Sequence, residues 1–129
     1  MAEVDIFEVQ EDEKPFNIRH KRYYFSREVI SFVKNCKYER IYNSLFDQLI
    51  RSATSIGPNL VEGKSGSSRK DWRNFLVIAL KSANETKYWL CLIKDTMDVD
   101  AIAMTRLLKE AEEISNIIAK ILINAEKNE

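Results

Sequence analysis

Between Trp72 and Met97, apolar or small residues return in steps of 4, 3, 4, 3, 4, 3 and 4: Trp72, Leu76, Ala79, Ala83, Thr86, Leu90, Ile93 and Met97. Two further segments keep the same beat. From Arg40 to Gly63 it falls on Tyr42, Leu45, Leu49, Ser52, Ile56, Asn59 and Gly63, and toward the C-terminus on Leu107, Ala111, Ile114, Ile118, Ile121 and Ala125. A shorter run, Phe25, Val29, Phe32 and Cys36, lies within a helix expected from Tyr24 to about Asn35. A repeat averaging about 3.5 residues keeps one stripe against a neighbour along the whole length of a helix, so such helices pack nearly parallel with a left-handed supercoil. The connections are short: NCKYER, KSGSS and a few residues near Val99, with Ser68 placed to cap the third helix and Asp71 three residues on. Short connections make neighbouring helices antiparallel. The predicted fold is all-α, an antiparallel up-and-down four-helix bundle. Three Gly and two Pro leave little material for hairpin turns, which points the same way.

A chain of 129 residues is one domain. Residues 1–20 lack the repeat and include Pro15, so they are expected to form an arm, acidic and then basic, ahead of a bundle over residues 21–129. No apolar run approaches the roughly 18 residues of a membrane span, and the acidic N-terminus has no secretory pattern, so a cytoplasmic protein with no membrane contact is expected. Cys36 and Cys91 have no metal-ligand spacing. One disulfide is a reading, and two reduced, partly buried thiols in a cytoplasm is the favoured one.

The formal net charge of +0 hides an asymmetry. Residues 1–14 hold six acids against Lys14, and the rest of the chain carries 19 basic and 14 acidic side chains, an excess of +5. Basic residues gather at Arg19, Lys21 and Arg22 in the arm, and at Lys64, Arg69, Lys70 and Arg73. Such blocks fit contact with the phosphates of RNA or DNA, and they also fit a solvated face neutralised by an acidic tail.

Two features depart from a plain bundle. The stretch SIGPNLVEG places Pro58 inside a helix, where it removes the N–H that would reach the Thr54 carbonyl, so a kinked second helix is expected at a cost of about 3 kcal/mol in an ideal helix. Around it Arg51, Ser55, Asn59 and Glu62 form a polar stripe on one side, expected to anchor the helix by cross-bonding to the third, for example from Asn59 or Glu62 to Ser82 or the neighbours of Glu85. The third helix also carries a second stripe, Phe75, Ile78, Ser82, Glu85, Trp89 and Leu92, more apolar surface than one bundle needs. An apolar flank of this kind suits a subunit contact. A small-molecule or metal site lined by Asn59, Glu62 and Glu85 is the remaining reading of that stripe. His20 sits outside any plausible triad, and there is no Walker loop, no GxGxxG and no Glu-x-x-His repeat, so no catalytic residue, metal site or cofactor is expected.

The block FDQLIRSATSIGPNLVEG followed by SSRKDWRNFLVIALKSANETKYWL resembles the bacterial ribosomal-RNA intervening-sequence protein family. Its pattern is Q-L-x-R-A-x-x-S-I-x-x-N-I-x-E-G and then F-L-x-I-A-x-G-S-x-x-E. Gln48, Leu49, Arg51, Ser55, Ile56, Asn59, Glu62 and Gly63 match the first part, and Phe75, Leu76, Ile78, Ala79, Ser82 and Glu85 the second. The match covers about residues 24–125, and Ser52 and Lys81 stand where the pattern has Ala and Gly. The resemblance implies a four-helix bundle that assembles as a ring, typically a homopentamer, with no enzymatic activity. A similar fold is the accessory protein of diversity-generating retroelements, a basic pentameric barrel that binds a reverse transcriptase and its RNA. The expected function is therefore a non-catalytic oligomer that holds RNA or a nucleic-acid enzyme on basic surfaces, with a protein-only scaffold as the alternative.

Overall fold

A computed structural model describes residues 18–66 and 68–127, apart from the side chain of Arg19. The acidic residues 1–14 lie outside the described residues. Four helices follow one another: α1 (Ile18–Asn35), α2 (Asn43–Ser65), entered through a 3₁₀ turn at Arg40–Tyr42, α3 (Arg69–Thr96) and α4 (Ala101–Lys127). No strand occurs among the described residues. The starts of α3 and α4 follow local chemistry. The Ser68 hydroxyl accepts the Asp71 N–H at 3.1 Å, and the Asp100 carboxylate accepts the N–H groups of Ile102 and Ala103 at 2.9 and 3.1 Å.

Each helix packs against its neighbours in sequence and α1 closes against α4, while the diagonal pairs do not meet. Paired positions run in opposite directions along adjacent helices: Ser52 with Thr86 and Ser55 with Ser82 across α2 and α3, and Arg73 with Glu126 and Lys87 with Glu112 across α3 and α4. This is the antiparallel up-and-down bundle. One end gathers the start of α1, the α2–α3 turn and the end of α4, and the other end holds the remaining two connections. The predicted stripes form the core: Phe25 and Val29, Leu49 and Ile56, Leu76 and Leu90, and Leu107, Ile114 and Ile118 are all buried. Each such side chain contributes about 1.5–3 kcal/mol on leaving water.

One expectation is revised. The first helix starts at Ile18, six residues before Tyr24. The repeat continues backward from Phe25 through Lys21 and Arg22 to Ile18, but two of its positions are filled by long basic side chains whose stems serve as packing surface. The helix α2 runs on through Pro58 to Ser65, with the proline on the exposed side.

Candidate functional site

The polar stripe of α2 and the second stripe of α3 meet in one groove. The Ser55 hydroxyl donates to that of Ser82 at 2.6 Å, and one turn deeper the Thr86 hydroxyl reaches Ser52 at 3.0 Å and the Ser82 carbonyl at 2.7 Å. Thr86 is fully buried, so this pair satisfies hydroxyls that have no access to water. The cross-bond expected from Asn59 or Glu62 is therefore made by Ser55. Asn59 turns back on its own helix and donates from its amide to the Ser55 carbonyl at 2.7 Å. Glu62 is exposed. Arg51 is also exposed and pairs within α2, its Nε 2.9 Å from Asp47. Trp89 is half-buried and donates its indole N–H to Glu85 at 2.9 Å, with Tyr88 edge-on at 5.0 Å. Outward from this line Ile78 is 45% exposed and Tyr88 61%. The flank is thus a strip of aromatic and aliphatic surface on α3 beside a polar one on α2.

The glycine that ends SIGPNLVEG explains why α2 and α3 come so close. A Cβ on Gly63 would lie 2.6 Å from the Trp72 ring and 2.9 Å from the Phe75 Cβ. Gly57 is different: a Cβ there would meet only the Arg22 stem at 3.6 Å or more, an ordinary contact.

The basic residues divide into two groups. Lys64, Arg69 and Lys70 are exposed around the α2–α3 turn, and Arg73, one turn into α3, is half-buried with its guanidinium 2.6 Å from Glu126. Lys21 and Arg22 are 9% and 7% exposed, which removes them from a phosphate-contacting surface. Lys21 donates to Glu113 at 2.7 Å, with Glu110 at 3.7 Å, and its hydrogen bond holds the Glu113 carboxyl below the usual carboxylate range. The Arg19 side chain lies outside the described residues. Sequence reasoning also passed over a ring cluster on the outer face of α1: His20 stacks on Tyr24 at 4.4 Å, and the Arg27 guanidinium lies 5.1 Å from the Tyr24 ring centre. Their helical i, i+3 and i, i+4 spacing was the available signal.

No group of three or more His, Cys, Asp or Glu is drawn together as a metal site among the described residues. Two open clefts of about 480 Å³ each lie at the end opposite the α2–α3 turn and share Cys36, Lys37, Asp98 and Val99 in their walls; neither includes Asn59, Glu62 or Glu85. Burial pushes the Cys36 thiol up, away from a reactive thiolate. Both cysteines are free, Cys36 half-buried and Cys91 exposed. No helix among the described residues is long and apolar enough to cross a membrane.

The described residues thus form an antiparallel four-helix bundle with a mixed flank on α2 and α3 and exposed basic side chains at one end. The 23S rRNA-intervening sequence protein family model matches residues 14–120, and the chain belongs to that family. Among solved structures it is similar to a protein of unknown function from the S23 ribosomal protein family of Bacteroides thetaiotaomicron, with 31% identity and a TM-score of 0.73, over 82% of this chain and 98% of that one. No curated protein matches the chain.

Proposed function

We propose that the protein is a non-catalytic, self-assembling bundle that binds RNA, or an enzyme working on RNA such as a reverse transcriptase, through the basic end around the α2–α3 turn. The observation that carries this reading is the exposure of Lys64, Arg69 and Lys70 together at one end of the bundle, with Arg73 directly beneath them. No aromatic ring is exposed among those side chains, and Trp72 beside them is half-buried against Gly63, so the contacts are to phosphate, with little preference for base sequence. Assembly runs through the α2–α3 flank, and a ring of five copies brings five basic ends together, which the family resemblance supports. In a filter-binding assay with single-stranded RNA, each phosphate contact adds about 0.7 to the log-log salt slope. Changing Lys64, Arg69 and Lys70 together to Ala should flatten that slope and weaken binding roughly tenfold or more at about 50 mM salt. A chain with residues 1–14 removed that retains no RNA at low salt would overturn the reading. The protein-only scaffold is then favoured, and the exposed Ile78 and Tyr88 are the observation that supports it.

A further inference from the structure

The side of α1 turned away from the core gathers rings and positive charge. At about 100° per residue, His20, Tyr23, Tyr24, Arg27 and Lys34 fall within about 100° of one another, opposite the buried Phe25, Val29 and Phe32. The His20 imidazole stacks on Tyr24 with ring centres 4.4 Å apart and 24° between the planes, and Tyr23 meets Tyr24 edge-on at 5.3 Å. The Arg27 guanidinium stands 5.1 Å from the centre of the Tyr24 ring and 5.8 Å from that of Tyr23. The three rings are half-buried, and Arg27 and Lys34 are exposed. We propose that this face of α1 is a stacking platform for the unpaired bases of single-stranded RNA, with Arg27 and Lys34 supplying the positive charge beside them. The proposal rests on the reading of the protein as an RNA binder, and it adds a contact to bases that the α2–α3 turn lacks.

Ring chemistry, charge and position support it. Every base has a π-face, and phenol, imidazole and guanidinium planes are the surfaces on which unstacked bases settle, with little dependence on sequence. The carboxylates near the face are few and engaged. Glu28 is the one acid in α1, and it lines the cleft with Asp98, Asp100 and Arg106 at the other end of the bundle. On the α4 side, Glu110 and Glu113 face Lys21 at 3.7 and 2.7 Å, and Lys109 acts on Glu113 as well. On the α2 side, where Ser26 reaches the Ala53 carbonyl at 3.5 Å and the Arg22 stem lies against Gly57, the stretch from Ser52 to Val61 holds no charged side chain. The aromatic pair of α3 differs in this respect. Trp89, edge-on to Tyr88, donates its indole N–H to the Glu85 carboxylate at 2.9 Å, so a phosphate chain would meet an anion bonded to the ring, with Lys81 one turn back. The ion among the α1 rings is a guanidinium. Arg22 packs at Gly57, about two turns of α2 short of Lys64, and neighbouring helix axes lie about 8–10 Å apart, so one strand can cross from the α2–α3 turn to this face. Glu62, Asp71 and Glu126 share the end that carries Lys64, Arg69, Lys70 and Arg73, and Glu126 pairs with Arg73. Stacking on α1 adds affinity that those acids do not oppose.

The test uses the intact chain and single-stranded RNA of about 12 nucleotides and mixed sequence. A strand carrying 5-iodouridine at several positions is bound at low salt and irradiated, and the cross-linked peptide is sequenced by mass spectrometry. The expected cross-link is to His20, Tyr23 or Tyr24. Cross-links confined to Trp72, Tyr88, Trp89 or other rings, with none on α1, would overturn the proposal. Filter binding then compares the strand with one of equal length that keeps every phosphate and lacks the bases. The parent should hold the abasic strand at least roughly fivefold less tightly. Tyr23→Leu with Tyr24→Leu should remove that difference, while binding of the abasic strand, its salt slope and the helical circular dichroism stay as in the parent. A variant that loses both strands alike refutes stacking as the role of these rings. A parent that holds both strands alike also refutes it and leaves the phosphate contacts standing. If neither strand is held at low salt, the RNA-binding reading itself falls and the platform falls with it.

Discussion

At the scale of single residues, the two helical glycines of α2 make opposite predictions. Glycine in a helix interior costs about 1 kcal/mol relative to alanine, so Gly57→Ala, whose Cβ meets only the flexible Arg22 stem, should raise stability by up to about 1 kcal/mol, or about 4 °C in melting temperature. The same change at Gly63 drives a methyl into the Trp72 ring and, at 2.9 Å, into a Cβ fixed to the α3 backbone. The overpacking cost of about 1–3 kcal/mol outweighs the propensity gain, and Gly63→Ala should lower the melting temperature in thermal unfolding followed by circular dichroism. Equal effects at the two positions would contradict the close approach of α2 and α3. The same scale shows where the sequence misled. Ser52 looked like a departure from the family's alanine, yet its hydroxyl receives Thr86 in the core; a helical stripe identifies which positions face inward but not which hydroxyls will find each other across the interface. Lys21 and Arg22 read as surface charges because their type is usually exposed, and a burial of 9% and 7% depends on Gly57 and Glu113, which lie far away in the chain.

At the scale of elements, the long repeats made α3 and α4 legible to within a residue or two, and the cap at Ser68 fixed the start of α3. The α1 boundary was hidden by charged residues on its stripe. The α2–α3 cross-bond was foreseen in kind, from a polar stripe at helical spacing, but assigned to Asn59 and Glu62 when Ser55, nearer the contact, makes it. Between α1 and α4 the Lys21–Glu113 pair is the main electrostatic tie. Because the folded Glu113 carboxyl titrates below its unfolded value near 4.3, its stabilisation is complete above that value and is lost as pH falls through the folded one. The carboxylate is 39% exposed, so the effect is modest, under about 1 kcal/mol. Glu113→Gln should be less stable than the parent in urea at neutral pH, and the two should converge in acid once the folded Glu113 carboxyl is protonated; a gap that persists there would assign the effect to packing.

At the scale of the whole molecule, the α2–α3 flank predicts association. Light scattering should give a mass several times the 15.1 kDa chain, and Ile78→Glu, at a position 45% exposed in the single bundle, should return it toward one chain without loss of helix signal. A parent protein that stays monomeric on dilution from micromolar concentration removes the assembly. The up-and-down topology has one more outcome, for anyone handling the protein. The start of α1 and the end of α4 lie at the same end of the bundle as the α2–α3 turn, with Glu126 in contact with Arg73. A fusion made at the start of α1 or at the end of α4 would therefore stand at the same end as Lys64, Arg69 and Lys70, where it bears on any test of the proposed RNA contact. A label inserted at the Asp98–Asp100 connection would sit at the far end, the length of the 28-residue α3 away, about 42 Å.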